Sequence, residues 1–347
     1  MRIVIVGAGY AGTMAANRLA RRARGADVTV VNPRPEFVER IRLHQVIAGS
    51  GDAARPLTDM LDDAVHLRVT AVEKIGDGSV ALNDGGELGY DRLIYATGGA
   101  PSAPDGAIDV GDLASARSAA GRVAALSVGA RVTVVGGGLT GIETASEVAA
   151  ARPDLRVRLV SDGEIGRSLG PAARERVVET LTDAGVEIEN RRWSGDAEDD
   201  LTLWALANKA TDLAVRSGIE VDPNGRILVD EFLRSTSDPR ILAVGDGAAV
   251  PGSRMSCQAA LPQGSHAADV IAAEWHDRAP EPYAVSFVAQ CVSLGRRNGV
   301  VQHVRRDDTP TRVWMRGRPA AAVKEQICRG TVYSSRSGRS TWKPGRP

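Results

Sequence analysis

The chain has 347 residues, 43 acidic and 43 basic side chains, and three cysteines. This length is typical of two or three domains. A chain of this size buries enough apolar surface to fold without a disulfide or a metal ion. The zero formal charge gives no global attraction to nucleic acid or an anionic membrane. Met1 leads straight into a strand-like segment, and no apolar run approaches a membrane span, so we expect a cytoplasmic protein without a signal peptide or transmembrane segment.

Residues 1–32 read as strand, glycine turn, helix and strand. The β-branched run ends in a G-x-G-x-x-G turn that carries Gly7, Gly9 and Gly12 and passes into an alanine-rich helix. In such a turn the first glycine permits the tight bend, the second lets the backbone approach a pyrophosphate, and the third lets the helix pack close to the strand. The N–H groups at the start of the helix then face the phosphates. The pattern predicts a dinucleotide-binding unit.

The next part of the chain completes this unit. Gly85 and Gly86 lie in a predicted hairpin, and a buried strand follows that ends at Gly98 and Gly99. Residues 101–111 are rich in proline and glycine, which indicates a crossover between domains. Asp112 is placed to cap the helix that follows.

Residues 130–161 repeat the strand, glycine turn, helix and strand. The second G-x-G-x-x-G turn carries Gly136, Gly138 and Gly141. One such motif is weak evidence, but two in the same structural setting indicate a protein that holds two dinucleotides. A flavin and a nicotinamide are the pair expected, and they point to electron transfer.

The remaining segments are a predicted helix over 171–184, strands that include a segment ending at Gly245 and Asp246, and a long helix over 258–275 that contains Pro262. Residues 283–324 are predicted to form short strands and a final helix. The tail from Ser334 is polar and basic and is expected to be mobile.

Five motifs in order resemble flavoproteins of the pyridine nucleotide–disulfide oxidoreductase superfamily, most closely the branch of type II NADH:quinone oxidoreductases and apoptosis-inducing-factor-like proteins. They are VIVGAGYAG, YATGG, VVGGGLTGIE, LAVGDGA and SCQAALPQG. The resemblance implies an α/β fold with two Rossmann-like domains and a small α+β C-terminal domain. It implies FAD on residues 1–111 and 232–280, NADH or NADPH on a shortened domain over 112–231, and an interface domain with a mobile tail over 281–347.

The resemblance also implies the residues that contact each cofactor. Those expected at FAD are Gly7, Gly9, Ala11, Gly12, Asn32, Arg40, His44, Ala96, Thr97, Gly98, Gly245 and Asp246. Those expected at the nicotinamide nucleotide are Gly136, Gly138, Gly141 and Ser161. No metal site is expected.

Three residues are candidates for catalysis, and a fourth is a candidate for proton delivery. The resemblance places Glu143 where a carboxylate orients the nicotinamide or relays a proton, although an acid at a helix start is also favoured by the helix dipole. Gln258 and Gln263 match an element that lines the quinone site in that branch, and the alternative is two ordinary helix residues. His44 is a candidate for proton delivery. The three cysteines are far apart in sequence and form no C-x-x-C pair, so they are expected to pack as small apolar residues and not to form a redox dithiol.

Four positions depart from the family pattern. Asn32 and Ser161 stand where such units carry an acid that binds the ribose hydroxyls. The choice of nucleotide therefore stays open: Asp162 could bind the ribose hydroxyls of NADH, and Arg158 or Arg167 could neutralise the 2′-phosphate of NADPH. Relatives have a glycine at Ala207. The stretch over 190–200 is shorter than expected, as though a hairpin were deleted.

Three hypotheses therefore compete. The first is an FAD oxidoreductase that takes hydride from NAD(P)H and reduces a quinone or similar small acceptor, with a homodimer and peripheral membrane contact as further expectations. The second is an FAD-dependent dehydrogenase or oxidase of a specialised metabolite that no longer uses nicotinamide. The third is a protein that binds FAD without catalysis.

Overall fold

The computed structural model describes residues 1–195, 198–206, 209–284 and 286–339. The strands are β1 (Arg2–Val6), β2 (Asp27–Asn32), β3 (Glu36–Val38), β4 (Ala54–Pro56), β5 (Val65–Val69), β6 (Val72–Ile75), β7 (Ser79–Leu82), β8 (Glu87–Gly89), β9 (Arg92–Tyr95), β10 (Gly99–Ala100), β11 (Ala107–Asp109), β12 (Arg131–Val135), β13 (Arg156–Ser161), β14 (Glu187–Asn190), β15 (Leu201–Trp204), β16 (Lys209–Ala210), β17 (Ile227–Leu228), β18 (Ile241–Ala243), β19 (Ala248–Ala249), β20 (Ala289–Ser293), β21 (Gly299–Val304) and β22 (Pro310–Arg316). The helices are α1 (Tyr10–Arg22), α2 (Leu43–Ile47), α3 (Leu113–Ala125), α4 (Leu139–Ala151), α5 (Pro171–Asp183), α6 (Leu213–Arg216), α7 (Cys257–Trp275) and α8 (Gly317–Ser337).

The first domain is built on a parallel sheet with the strand order β18-β9-β1-β2-β5. Its central strand β1 is buried over Ile3–Val6, as expected for a parallel strand covered on both faces. Helices α1 and α7 pack against each other beside this sheet. The antiparallel strands β6, β7 and β8 add Val72, Val80 and Leu82 to the same core. The turn after β1 therefore lies at the carboxyl edge of the sheet.

The second domain repeats this plan with the strand order β11-β15-β12-β13-β14, all parallel. Strand β12 is buried over Val132–Val135, and helices α3, α4 and α5 pack around the sheet. The Asp112 side chain accepts a hydrogen bond from the Ser115 N–H at the start of α3, which confirms the predicted cap. The α/β fold with two dinucleotide-binding domains is confirmed.

The chain returns to the first domain earlier than the sequence predicts. The domain assigned to 112–231 ends near β16, which pairs antiparallel with β10 and forms the crossover between the two domains. After it, Leu213, Ala214 and Ile227 pack in the core of the first domain. Strand β17 is short because the Asp230 carboxylate accepts hydrogen bonds from the N–H groups of Phe232 and Arg234 and closes a turn.

The C-terminal domain is an antiparallel sheet of β20, β21 and β22 with α8 packed on it and on α1. The predicted mobile tail from Ser334 is wrong for its first residues, because α8 runs to Ser337 and buries Ser334 and Ser335. The Asn17 side chain on α1 donates to the Ser335 carbonyl at 2.8 Å and so fixes this end of the helix. Residues 340–347, the rest of that predicted tail, lie outside the described residues.

The helices described here contain no segment that is both long and apolar enough to cross a bilayer.

Candidate functional site

The first glycine turn shows why two of its glycines are required by the protein itself. Gly7 has φ 102°, and a Cβ built on it would lie 2.4 Å from the Ala96 carbonyl oxygen. A Cβ on Gly12 would lie 1.9 Å from the Gly7 carbonyl oxygen. A Cβ on Gly9, in contrast, meets no heavy atom of the described residues within 4 Å. The open face at Gly9 is where a dinucleotide pyrophosphate would approach the backbone.

The second turn has the same geometry. Gly136 has φ 126°, and a Cβ there would lie 2.8 Å from the Ala205 carbonyl oxygen, while one on Gly141 would lie 1.8 Å from the Gly136 carbonyl oxygen. Gly138 again has open space on its Cβ side, with no described heavy atom within 4 Å. Both turns are therefore built to hold a nucleotide.

Both open glycines, Gly9 and Gly138, face one cleft of about 540 Å³ between the two Rossmann-like domains and the C-terminal domain. Two elongated nucleotides that approach from the two glycine turns would meet in this cleft, so the residues present fit FAD and a nicotinamide nucleotide. The predicted site residues that line it are Gly9, Ala11, Arg40, His44, Ala96, Gly98, Gly138, Glu143, Gly245, Asp246 and Gln258.

Asn32 and Ser161 lie behind their glycine turns. The buried Asn32 Oδ1 accepts from the Ala8 N–H at 3.0 Å, and its Nδ2 donates to the Arg34 carbonyl at 2.7 Å. A Cβ on Gly137 would lie 2.4 Å from the Ser161 Oγ, so Ser161 packs directly under the second turn. In this structure both side chains support the turns, and their contact with a ribose stays a prediction.

Arg40 and Asp246 form the charged part of the FAD side of the cleft. The Arg40 Nη1 lies 3.8 Å from the Asp246 Oδ2. Burial raises the pKa of Asp246, and the positive charge of Arg40 opposes that shift. Because the pair is loose, both groups keep hydrogen-bonding capacity for a ligand.

Glu143 stands at the centre of a group of polar side chains on the opposite wall. Its Oε1 contacts the Lys324 Nζ in an ion pair and accepts from the Ser293 N–H at 2.8 Å. The Ser293 hydroxyl also donates to Oε1 at 3.2 Å. The His44 Nδ1 lies 3.7 Å from Oε2, and the His44 Nε2 is 3.4 Å from the Ser293 Oγ. The sequence indicated Glu143 and His44 but gave no sign that Lys324 would join them.

The surroundings of this group lower the pKa values of Lys324 and His44, which favours the neutral form of both side chains. Burial lowers the pKa of Lys324 to about 8. Burial, followed by the positive charge of Lys324, holds the pKa of His44 well below its ordinary value of 6.5. At pH 7 the imidazole is therefore neutral, and the ammonium group is close to releasing its proton.

The two predicted catalytic glutamines have different positions. Gln258 lines the cleft, and its Oε1 accepts from the Arg254 Nη2 at 3.2 Å. Gln263 is 1 % exposed, accepts from the Gly245 N–H at 2.7 Å and donates to the Ser253 Oγ at 3.0 Å. Both ends of the Gln263 amide hold the turn that carries Asp246, and its predicted role at the quinone site stays a prediction.

Thr97 and Gly264 are also explained by packing. The Thr97 hydroxyl is 3.0 Å from the Thr211 hydroxyl, and its predicted contact with FAD stays a prediction. A Cβ on Gly264 would lie 2.2 Å from the Ala11 carbonyl oxygen. This glycine of the SCQAALPQG motif lets α7 cross α1 at backbone distance, which aims the start of α7 at the cleft.

All three cysteines line the same cleft although they are far apart in sequence. Burial raises the pKa of Cys257 and of Cys291 to about 12 and raises that of Cys328. Since the thiolate is the reactive form, these thiols are poor nucleophiles at neutral pH. Their convergence was not foreseen, but their role as small apolar residues agrees with the prediction.

The structure excludes Arg158, one of the two arginines considered as partners of a 2′-phosphate. Arg158 is buried, with its Nη2 2.7 Å from the Asp199 Oδ1 and its Nη1 3.1 Å from the Glu189 Oε1. It is therefore not available to a nucleotide. Ala207 and residues 196–197 of the shortened stretch lie outside the described residues.

A family model described as pyridine nucleotide-disulphide oxidoreductase matches residues 1–264 of the chain. An NADH dehydrogenase-like protein of Mycobacterium tuberculosis is 29 % identical over 388 residues, which cover 97 % of this chain and 95 % of that protein. Ferroptosis suppressor protein 1 of Taeniopygia guttata is 26 % identical over 338 residues, 87 % of this chain and 88 % of that protein.

Among solved structures, NDH2 from Plasmodium falciparum in complex with NADH superposes with a TM-score of 0.81 and 14 % identity, covering 97 % of this chain and 96 % of the other. At this level of identity the similarity supports the fold.

Proposed function

Because the chain belongs to the pyridine nucleotide-disulphide oxidoreductase family, and is by that membership an FAD-dependent NAD(P)H oxidoreductase, we propose that it oxidises NADH and reduces a quinone. The observation that carries this proposal is the single cleft faced by the open glycines Gly9 and Gly138 and closed by the Glu143–Lys324 pair. Bound FAD and NADH supply the hydride chemistry.

The chain's own residues bind and orient the two nucleotides. The glycine turns present backbone N–H groups at the starts of α1 and α4, where the helix dipole also favours a pyrophosphate. Gly9 and Gly138 allow the phosphates to reach these N–H groups. Gln263 holds the Gly245 turn in place, and that turn presents Asp246 to the cleft.

A quinone is favoured as the acceptor because the cleft combines an apolar wall with a proton source. Its apolar lining includes Leu261 and the protonated thiol of Cys257 on α7, and Ile327 and the protonated thiol of Cys328 on α8. Lys324, also on α8, and Glu143 on α4 can hold a proton in the same cleft. Reduction of a quinone to a quinol requires protons, whereas a one-electron protein acceptor does not. The name of the Mycobacterium tuberculosis relative, NADH dehydrogenase-like, supports NADH as the electron donor and leaves the acceptor to these features of the cleft.

NADH is favoured over NADPH by the charges after β13. Arg158 is occupied by its own carboxylate partners, whereas Asp162 is exposed directly after β13, five residues before the exposed Arg167. A carboxylate at this loop accepts from ribose hydroxyls and repels a 2′-phosphate. Residence in the cytoplasm, contact with a membrane surface and a homodimer stay predictions.

The experiment separates the two half-reactions of the FAD-loaded protein. Anaerobic stopped-flow absorbance follows flavin reduction by NADH and by NADPH, and steady-state assays follow reduction of a short-chain water-soluble quinone. We expect rapid reduction by NADH, slower reduction by NADPH and turnover with the quinone. For Lys324→Met we expect unchanged flavin reduction and quinone turnover lowered by about tenfold or more, since the proton source is lost.

The pH profile provides a second test of Lys324. Because its folded-state pKa is about 8, the proton-bearing form declines as pH rises through that value. Quinone turnover by the wild-type protein should therefore fall above about pH 8, and this decline should be absent in Lys324→Met. A flavin that no nicotinamide reduces would contradict the proposal, and so would reduction of a ferredoxin but of no quinone.

A further inference from the structure

A second buried carboxylate, Glu147, lies one helical turn after Glu143 on α4 and is not used by the function proposed above. It is 2 % exposed, although a buried carboxylate is costly unless it is well paired. Its Oε1 accepts a hydrogen bond from the Ser50 hydroxyl, and its cationic neighbour, the Arg296 Nε, is 3.9 Å away. This pairing is weak for a charge so well shielded from water.

Glu147 lies between the site and the surface. Arg296 has half of its side chain exposed, and Ser50 is partly exposed after the end of α2, so one side of Glu147 faces the exterior. The group around Glu143 lies one helical turn away on the same helix. There Ser293 bonds to Glu143 and lies 3.4 Å from His44, while the Ser146 hydroxyl, on the turn between the two glutamates, donates to the Ser293 carbonyl at 3.3 Å.

The stoichiometry of the proposed reaction requires a path by which protons enter the cleft from the protein surface. Oxidation of NADH transfers a hydride, which is two electrons and one proton, and reduction of a quinone to a quinol consumes two protons. One proton per turnover must therefore enter the cleft from bulk water. The wall around Glu143 is covered by α2, α8 and β20, so this proton needs a route through titratable or hydrogen-bonding groups.

We propose that Glu147 is the outer station of a proton inlet that recharges Glu143 and Lys324 from the surface at Ser50 and Arg296. This inference rests on the proposed function. The proton passes from surface water to the Glu147 carboxylate, crosses to Ser293 and His44 one helical turn away, and reaches the inner pair from there. Glu147 does not touch the substrate and is a positioning and relay residue.

The charged and titratable groups around Glu147 define how the inlet responds to pH. They are Glu143 on the same helix, His44 on α2, Arg296 on the loop after β20 and Lys324 on α8. The neutral imidazole of His44 can accept a proton on one nitrogen and release one from the other. Proton transfer through His44 therefore does not require that its imidazole stay protonated.

The first test is turnover of Glu147→Gln in the FAD-loaded full chain, with Glu179→Gln as the matched control. Glu179 lies on α5, is half exposed and pairs with Arg176. For Glu147→Gln we expect a wild-type rate of flavin reduction by NADH, quinone turnover lowered by about tenfold and an increased solvent deuterium isotope effect. Turnover with ferricyanide, which takes electrons without protons, should be unchanged. Equal losses with quinone and ferricyanide would show a structural role and overturn the proposal.

The second test uses neither the nicotinamide nor the acceptor, so its result does not depend on the proposed function. Infrared difference spectra are recorded when bound FAD is reduced by dithionite. A carboxyl band that changes on reduction in the wild type and in Glu179→Gln, but is absent in Glu147→Gln, would support the inlet. A spectrum that is identical in wild type and Glu147→Gln would overturn it. If the wild type reduces no quinone, the proposed function fails, and this spectrum still decides whether Glu147 exchanges a proton.

Discussion

Gly9 and Gly12 lie on the same turn, but their substitution should have different consequences. A Cβ on Gly12 collides with the Gly7 carbonyl, so any side chain there disrupts the packing of α1 on β1. A Cβ on Gly9 has open space in the protein and would collide with a bound ligand. Substitution of Gly12 therefore tests folding, whereas substitution of Gly9 tests ligand binding.

For Gly9→Val we expect loss of FAD with little change in the fold. Its backbone has φ −77°, which a valine tolerates, so the unfolding free energy of the FAD-free protein should change by less than about 1 kcal/mol. The measurements are the flavin absorbance of the purified protein and urea unfolding of the FAD-free form. Gly12→Ala should in contrast destabilise the FAD-free form. Full flavin content in Gly9→Val would show that the first unit does not hold FAD.

At the level of elements, α8 ties the C-terminal domain to the nucleotide-binding helix. The Asn17 Nδ2 on α1 donates to the Ser335 carbonyl at 2.8 Å and to the Met60 carbonyl at 2.7 Å, and its Oδ1 accepts from the Asp62 N–H at 2.7 Å. Gly338 ends the helix with φ 60°, and a Cβ there would lie 2.7 Å from the Arg18 backbone nitrogen. The end of α8 thus fits closely against the middle of α1.

Asn17→Ala should destabilise the protein by about 3 kcal/mol, because it leaves buried backbone groups without partners. Urea unfolding monitored by far-UV circular dichroism measures this change. Asn224→Ala, in an exposed turn, is the control and should stay within about 0.5 kcal/mol of the wild type. A small effect of Asn17→Ala would mean that α8 is held to α1 by apolar packing and not by this side chain.

For the whole molecule, buried histidines should make the fold sensitive to acid. His266 on α7 is 7 % exposed, its Nε2 has no hydrogen-bond partner among the described residues, and burial lowers its pKa to about 4. The unfolded chain binds a proton near pH 6.5. Between that value and about 4 the unfolded state holds more protons than the folded state, so stability is lost as pH falls through this window.

From His266 alone the unfolding free energy should decrease by about 2 kcal/mol between pH 7 and pH 5. Urea unfolding at both pH values, in wild type and His266→Phe, isolates this contribution. The phenylalanine keeps the edge contact with Tyr283, whose ring centroid is 5.2 Å from that of His266, and cannot bind a proton. An equal decrease in both proteins would show that other groups control the acid response.

Those parts of the protein that have a local cause can be predicted from the amino-acid sequence alone. The two glycine turns are visible as G-x-G-x-x-G because backbone collisions at Gly7, Gly12, Gly136 and Gly141 leave no other residue type there. The cap at Asp112 and the helix α5 follow from side chains within a few positions of each other. The family resemblance then supplied Glu143, Asp246 and Gln258, all of which line the cleft.

The tertiary structure decided what depends on distant contacts. Gln263 has the family spacing but bonds to Gly245, and Lys324 reaches Glu143 from a helix 181 residues later, so neither role has a local signal. The return of the chain at Leu213 depends on which core offers it apolar surface. Turns and caps are governed by steric contacts between near neighbours, whereas a buried polar group is satisfied by whichever partner the fold brings within reach.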